Sequence, residues 1–172
     1  MKRRIVLRNL AAAAGGMMVL PSWANGWNQE TLAQARFLTT PQEEILAEIT
    51  EVIIPATDTP GAKSLGVAVY IQKIVKDCMD TKSQESLTNG LALAEKAAQQ
   101  SYGKTYTSLS GDQKMEILKQ MSQSADQAAR DFAALVKSLT IRGYTTSEYY
   151  MTNVSHYQLV PGHYFGCVPV GK

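Results

Sequence analysis

Apolar positions recur at helical spacing through most of this chain. Thr40-Pro41-Gln42-Glu43 reads as a helix start, with Thr40 as cap, Pro41 at the first helical position and Glu43 closing a capping box. Ile45, Leu46, Ile49, Val52 and Ile53 follow on one stripe, and Pro55 ends the helix. The stretch PATDTPGAKSLG, residues 55–66, carries two prolines and two glycines and reads as an irregular loop. A second stripe holds Val67, Tyr70, Ile71, Ile74, Val75 and Cys78, and 80–83 form a polar break. A third, Ala-rich helix over 84–102 places Leu87, Leu91, Ala94, Ala98 and Tyr102 inward, with Gly103 as its stop. Ser110-Gly111-Asp112-Gln113 is another capping box, opening a short helix with Met115, Ile117, Leu118 and Met121. The fifth starts at Ser124 or Ala125, turns Ala128, Phe132, Leu135, Val136 and Leu139 inward, and stops at Gly143.

No alternating strand pattern and no internal repeat appear. The expected fold is therefore all-α: a compact bundle of about five helices with short connections, residues 40–172, after a polar lead-in over 25–39. From Tyr144 the pattern lapses, and 144–172 is expected to be an irregular tail. It holds five of the eight tyrosines: Tyr144, Tyr149, Tyr150, Tyr157 and Tyr164. Tyrosine offers an apolar body with a polar tip, so the tail is expected to wrap over its own bundle or over a partner.

The N-terminus follows different rules. Lys2, Arg3, Arg4 and Arg8 precede an 11-residue apolar run, Leu10–Leu20, and Ser22-Trp23-Ala24 offers a small-residue cleavage site after Ala24. The run is too short to span a bilayer, which needs about 20 apolar residues. Arg3-Arg4-Ile5-Val6-Leu7-Arg8 resembles the twin-arginine export motif, with Arg8 where lysine is usual and Val6 where phenylalanine is usual. The competing readings are a general secretion signal and a helix of the folded domain. Gly15-Gly16 and Pro21 argue against the last. Residues 1–24 are thus expected to be an export signal, leaving the length of one ordinary domain.

That assignment changes the meaning of the charge. Four of the 17 basic residues and none of the 15 acidic ones lie in 1–24, so the net +2 of the chain becomes −2 beyond it. No basic stripe follows, and no nucleic-acid partner is expected. In an oxidising periplasm Cys78 and Cys167 read first as a disulfide tying the middle of the chain to its tail, with two unrelated buried thiols as the alternative.

The chain carries few motifs of recognisable chemistry. No dinucleotide fingerprint, phosphate loop or covalent haem site occurs. Two cysteines are too few for a four-cysteine iron–sulfur cluster. His156, His163 and Cys167 match no usual zinc spacing, so no metal site is expected. Glu43-Glu44 suits the positive end of a helix, and Ser147-Glu148 has no nucleophile motif around it. No catalytic residue is assigned.

Four segments together resemble the gluconate 2-dehydrogenase subunit 3 family, the small or gamma subunits of bacterial membrane-associated flavoprotein dehydrogenases. They are the twin-arginine signal, EITEVIIPATDTPGAKSLGVAVYIQKIV (48–75), YGKTYTSLSGDQKMEIL (102–118), and FAALVKSLTIRGYTTSE (132–148) with VPGHYFGCVP (160–169). The resemblance implies a non-catalytic subunit that pairs with a large FAD-containing subunit oxidising a sugar, sugar acid or polyol. A multihaem cytochrome c subunit would pass electrons on. The small subunit would present Arg3 and Arg4 to the twin-arginine translocase for both chains and assist maturation of the large one. The assembled complex would sit in the periplasm at the inner membrane. On this reading the partner-interface candidates are Pro55, Thr57, Asp58, Pro60 and Gly61 in the loop, and Tyr144, Tyr149, Tyr157, Pro161, Gly162 and Tyr164 in the tail. Two prolines stiffen the loop, so it would lose little entropy on docking. Asp58 has a competing expectation, a local turn held by its own side chain. The alternative function is a free-standing periplasmic module that binds a sugar or peptide with its tyrosine-rich tail.

Overall fold

A computed structural model of the chain describes residues 37–158, Val160 and Gly162. The chain divides into two units, residues 1–37 and 38–172, and the helices described lie in the second. Arg3, Arg4, Ala24, Pro161, His163, Tyr164 and Cys167 lie outside the described residues.

Capping explains where the helices begin. Helix α1 spans Thr40–Ile53 and is capped by Thr39, whose N–H donates to the Gln42 side-chain oxygen at 3.0 Å. The box therefore closes one residue earlier than the expected pair of Thr40 and Glu43. Pro41 falls at the second helical position, where its missing N–H still leaves no bond unmade. Helix α2, Val67–Cys78, follows Gly66 at φ +69°. Helix α3, Thr81–Tyr102, is capped by Asp80, which accepts from the Ser83 N–H at 3.1 Å, so the expected polar break is its first turn. It ends on Gly103 at φ +64°, as its glycine predicts. A 3-10 turn at Tyr106–Ser108 leads to α4, Gly111–Gln123, with the expected Ser110–Gln113 capping box. Helix α5, Gln127–Thr145, starts on Asp126 rather than on Ser124 or Ala125, and α6, Glu148–Asn153, starts on Ser147.

The result is an all-α bundle with no strand among the described residues. Helix α5 packs on α1, α2, α3 and α4, with α3 its most extensive neighbour. Leu46 and Ile49 of α1, Ile71 and Val75 of α2, Leu87 and Leu91 of α3, Ile117 of α4, and Phe132 and Val136 of α5 are fully buried. Leu38, ahead of the first helix, is also buried.

Several expectations fail by one helical position. Ala129 is buried and Ala128 exposed. On α4, Lys114 is buried while Met115 and Leu118 are half-exposed. Val52 and Ile53 are half-exposed, and Cys78 at the end of α2 is exposed. Gly143 does not stop α5; it is buried inside the helix, where a Cβ would stand 2.7 Å from the Tyr70 ring. The segment from Tyr144 is thus not irregular throughout: Tyr144 belongs to the last turn of α5, and Tyr149 and Tyr150 to α6.

Candidate partner interface

The loop between α1 and α2 is organised by one carboxylate. Glu51 lies in the last turn of α1, and its Oε1 accepts from the Ala56 N–H at 2.9 Å while Oε2 accepts from the Lys63 N–H at 3.0 Å. A single side chain thus holds both arms of the loop. Ala62 N–H closes the base on the Ile54 carbonyl at 3.0 Å, and Thr57 N–H turns the tip onto the Thr59 carbonyl at 3.0 Å. Gly61 must be glycine here. A Cβ would lie 2.4 and 2.5 Å from the Glu51 oxygens and 2.6 Å from the Ala56 nitrogen. Gly61 is buried, so it shapes the loop from beneath, while Pro55, Thr57 and Asp58 stand exposed and Pro60 is half-exposed. The expected local role of Asp58 is filled by the Thr57–Thr59 backbone contact. The Asp58 side chain has no hydrogen bond among the described residues.

A second layer fixes the loop to the bundle. Glu48, one turn before Glu51, bonds Lys114 of α4 at 2.7 Å and also pairs with Lys63 of the loop. Burial acts to raise the Glu48 pKa, but the hydrogen bonds and charges of Lys114 and Lys63 outweigh it and leave the carboxyl below its ordinary value. The hydrogen bond to Glu48 raises the Lys63 pKa in return. Burial pushes up that of Tyr106, whose hydroxyl meets the Lys114 carbonyl at 3.4 Å. From the other side the Tyr144 hydroxyl donates to the Pro60 carbonyl at 3.1 Å, across 84 positions of sequence.

The fold therefore brings two sets of candidates to one end of the bundle. Tyr144 packs edge-on against Tyr150 with ring centroids 6.0 Å apart. Leu65 of the loop shares a shallow pocket of 400 Å³ with Ser147, Glu148, Tyr149, Thr152 and Asn153. Beyond α6, Val154, Tyr157 and Val160 expose 50%, 55% and 83% of their surfaces, an apolar run without cover from the described residues. His156 among them has a left-handed backbone, φ +47°, which re-aims the chain after α6. Gly162 is exposed.

Glu51, Glu48 and Lys114 are not among the residues that the sequence singles out. The signal for the first two was present: carboxylates three residues apart share a helix face, just before a proline-bounded loop. Lys114 had no such signal, because a lysine in a capping turn reads as solvent-facing. Among the described residues no three His, Cys, Asp or Glu side chains converge to hold a metal ion, and no helix is long and apolar enough to cross a membrane. Residues 40–162, every helix described above, match the family model of gluconate 2-dehydrogenase subunit 3. No curated protein and no solved structure matches the chain.

Proposed function

The chain belongs to the gluconate 2-dehydrogenase subunit 3 family, and from that premise we propose how it serves its complex. It is a non-catalytic accessory subunit of a periplasmic FAD-dependent sugar, sugar-acid or polyol dehydrogenase. It carries the twin-arginine address for itself and for the flavoprotein large subunit, and it assists assembly of that subunit. FAD belongs to the large subunit and haem c to a cytochrome subunit, and this chain's residues serve contact alone.

The observation that supports the reading best is the clamped loop. Glu51 holds both arms and Tyr144 ties Pro60 to α5. Thr57, Asp58 and Thr59 therefore project in one conformation before any partner arrives, and ordering them on contact costs little. Tyr149, which shares a pocket with Leu65 of the loop, and the exposed Tyr157 beyond α6 supply the aromatic area typical of interfaces.

Replacing Arg3 and Arg4 together by lysine tests the export role. The expected outcome is retention of both this chain and its flavoprotein partner in the cytoplasm, read by fractionation and flavin content. A flavoprotein that still reaches the periplasm would refute the carrier role.

A further inference from the structure

Two shallow grooves meet on the face shared by α1, α4 and α5. The first, 460 Å³, is lined by Glu48, Glu51, Val52, Pro55, Asp112 and Met115, among others. The second, 300 Å³, is lined by Ile53, Met115, Leu118, Lys119, Ala133 and Lys137, with Ser122 at its end. Met115 is common to both, so they form one seam. Val52, Ile53, Met115 and Leu118 are positions that periodicity assigns to the core, yet each is half-exposed. The apolar stripes of α1 and α4 are wider than this bundle covers.

The charges along the seam are sorted by end. Toward the loop lie Glu48, Glu51 and Asp112. Glu48 is ion-paired with Lys63 and Lys114, and both Glu51 oxygens are taken up by backbone N–H groups, which leaves Asp112 as that end's carboxylate open to a partner. At the other end the charged lining residues are Lys119 and Lys137, both exposed and in no ion pair among the described residues. From Asp112 to Ser122 the seam follows ten residues of α4, about 15 Å of helix.

We infer that the seam receives an amphipathic helix of a partner protein, about three turns long and antiparallel to α4. Apolar side chains at i, i+3 or i+4 and i+7 fill the row over Val52, Ile53, Met115 and Leu118. An acidic residue in the occupant's first turn faces Lys119 and Lys137, and a basic residue in its last turn faces Asp112. That is also the charge order a helix prefers for its own dipole, and antiparallel packing sets its dipole against that of α4. No strand edge among the described residues competes for an extended peptide. The inference rests on the reading of this chain as a subunit of a complex, but it requires neither the export role nor the loop contact.

The test places a photo-crosslinking benzoylphenylalanine at Asp112, Leu118 or Lys119 of the full chain, with exposed Ala92 of α3 as control, in the complex isolated from producing cells. Mass spectrometry should map the first three adducts to one helical segment of a single partner chain. The Lys119 adduct should lie N-terminal to the Asp112 adduct by about seven residues. Adducts on a second copy of this chain, on scattered segments or in the opposite order would overturn the inference, as would no adduct above the Ala92 level. The double variant Lys119→Glu/Lys137→Glu should retain its helical content and lose about tenfold or more in partner affinity; unchanged affinity would also overturn it. The arginine replacement reads export and this experiment reads contact, so each can fail without the other.

Discussion

Gly90 and Gly103 show one residue type answering two physical demands. Gly90 sits inside α3, where a Cβ would stand 2.0 Å from the Phe132 ring, so the helices approach closely only over a bare backbone. Gly103 has open space around it and is needed for its left-handed φ of +64°. Gly103→Ala is expected to cost about 1 kcal/mol, a backbone effect alone. Gly90→Ala gains about 1 kcal/mol of helix propensity but loses more to overpacking, for a net destabilisation of about 1–2 kcal/mol. Urea denaturation of both variants, alone and with Phe132→Leu, separates the causes. The smaller side chain should recover part of the Gly90→Ala loss and none of the Gly103→Ala loss, and equal behaviour in the two backgrounds would refute the close-packing account. The role of Gly103 is legible in sequence, because a glycine after a helical stripe reads as a stop, although the same reading fails at Gly143. That of Gly90 is not, because the demand comes from another helix 42 positions away.

At the scale of elements, the loop between α1 and α2 is held by the helix that precedes it. Removing the clamp with Glu51→Ala frees the Ala56 and Lys63 amides and is expected to destabilise the chain by about 1–3 kcal/mol. The damage should be local. Hydrogen exchange at residues 56 and 63 is expected to accelerate strongly while amides in the centre of α3 and α5 keep their protection. Uniform acceleration through the bundle would instead make Glu51 a general stabiliser. Sequence reasoning finds this loop and its stiffness from its prolines and glycines. It misses the clamp, because a carboxylate in a final helical turn reads as solvated until the loop is seen folding back over it. The tail fails for a related reason. Tyr144, Tyr149 and Tyr150 sit in helices, although bulky aromatics and Thr145-Thr146 lower helix propensity there. Packing against α5 and the Ser147 cap override that preference.

At the scale of the whole molecule, Glu48 links α1, the loop and α4 through Lys63 and Lys114. Its folded-state pKa is lowered, so its contribution is complete above the ordinary carboxylate range and is lost as pH falls through the depressed value. The Lys63 arm is half-exposed and worth little, whereas the Lys114 side chain is 8% exposed and its ammonium is left unpaired if Glu48 is removed. Glu48→Gln is therefore expected to destabilise by about 1–2 kcal/mol at neutral pH, and the gap to the native chain should narrow below about pH 4. A pH series of denaturation curves checks the sign; a gap that widens in acid would contradict it.

The sequence by itself determined the helical class, the number and order of the long helices and most of their ends, because capping and 3.6-residue periodicity act within a few residues of one another. It also supplied the stretches by which the family is recognised. Only the tertiary structure decided which flank of each stripe meets the core. The stripes of α1 and α4 are broad enough to admit neighbouring rotations, and packing chose the one that buries Lys114 beside Glu48 and leaves Val52, Ile53, Met115 and Leu118 half-open. It alone joined Tyr144 to Pro60 and Glu48 to Lys114, since contacts across 84 and 66 positions leave no local trace in the chain.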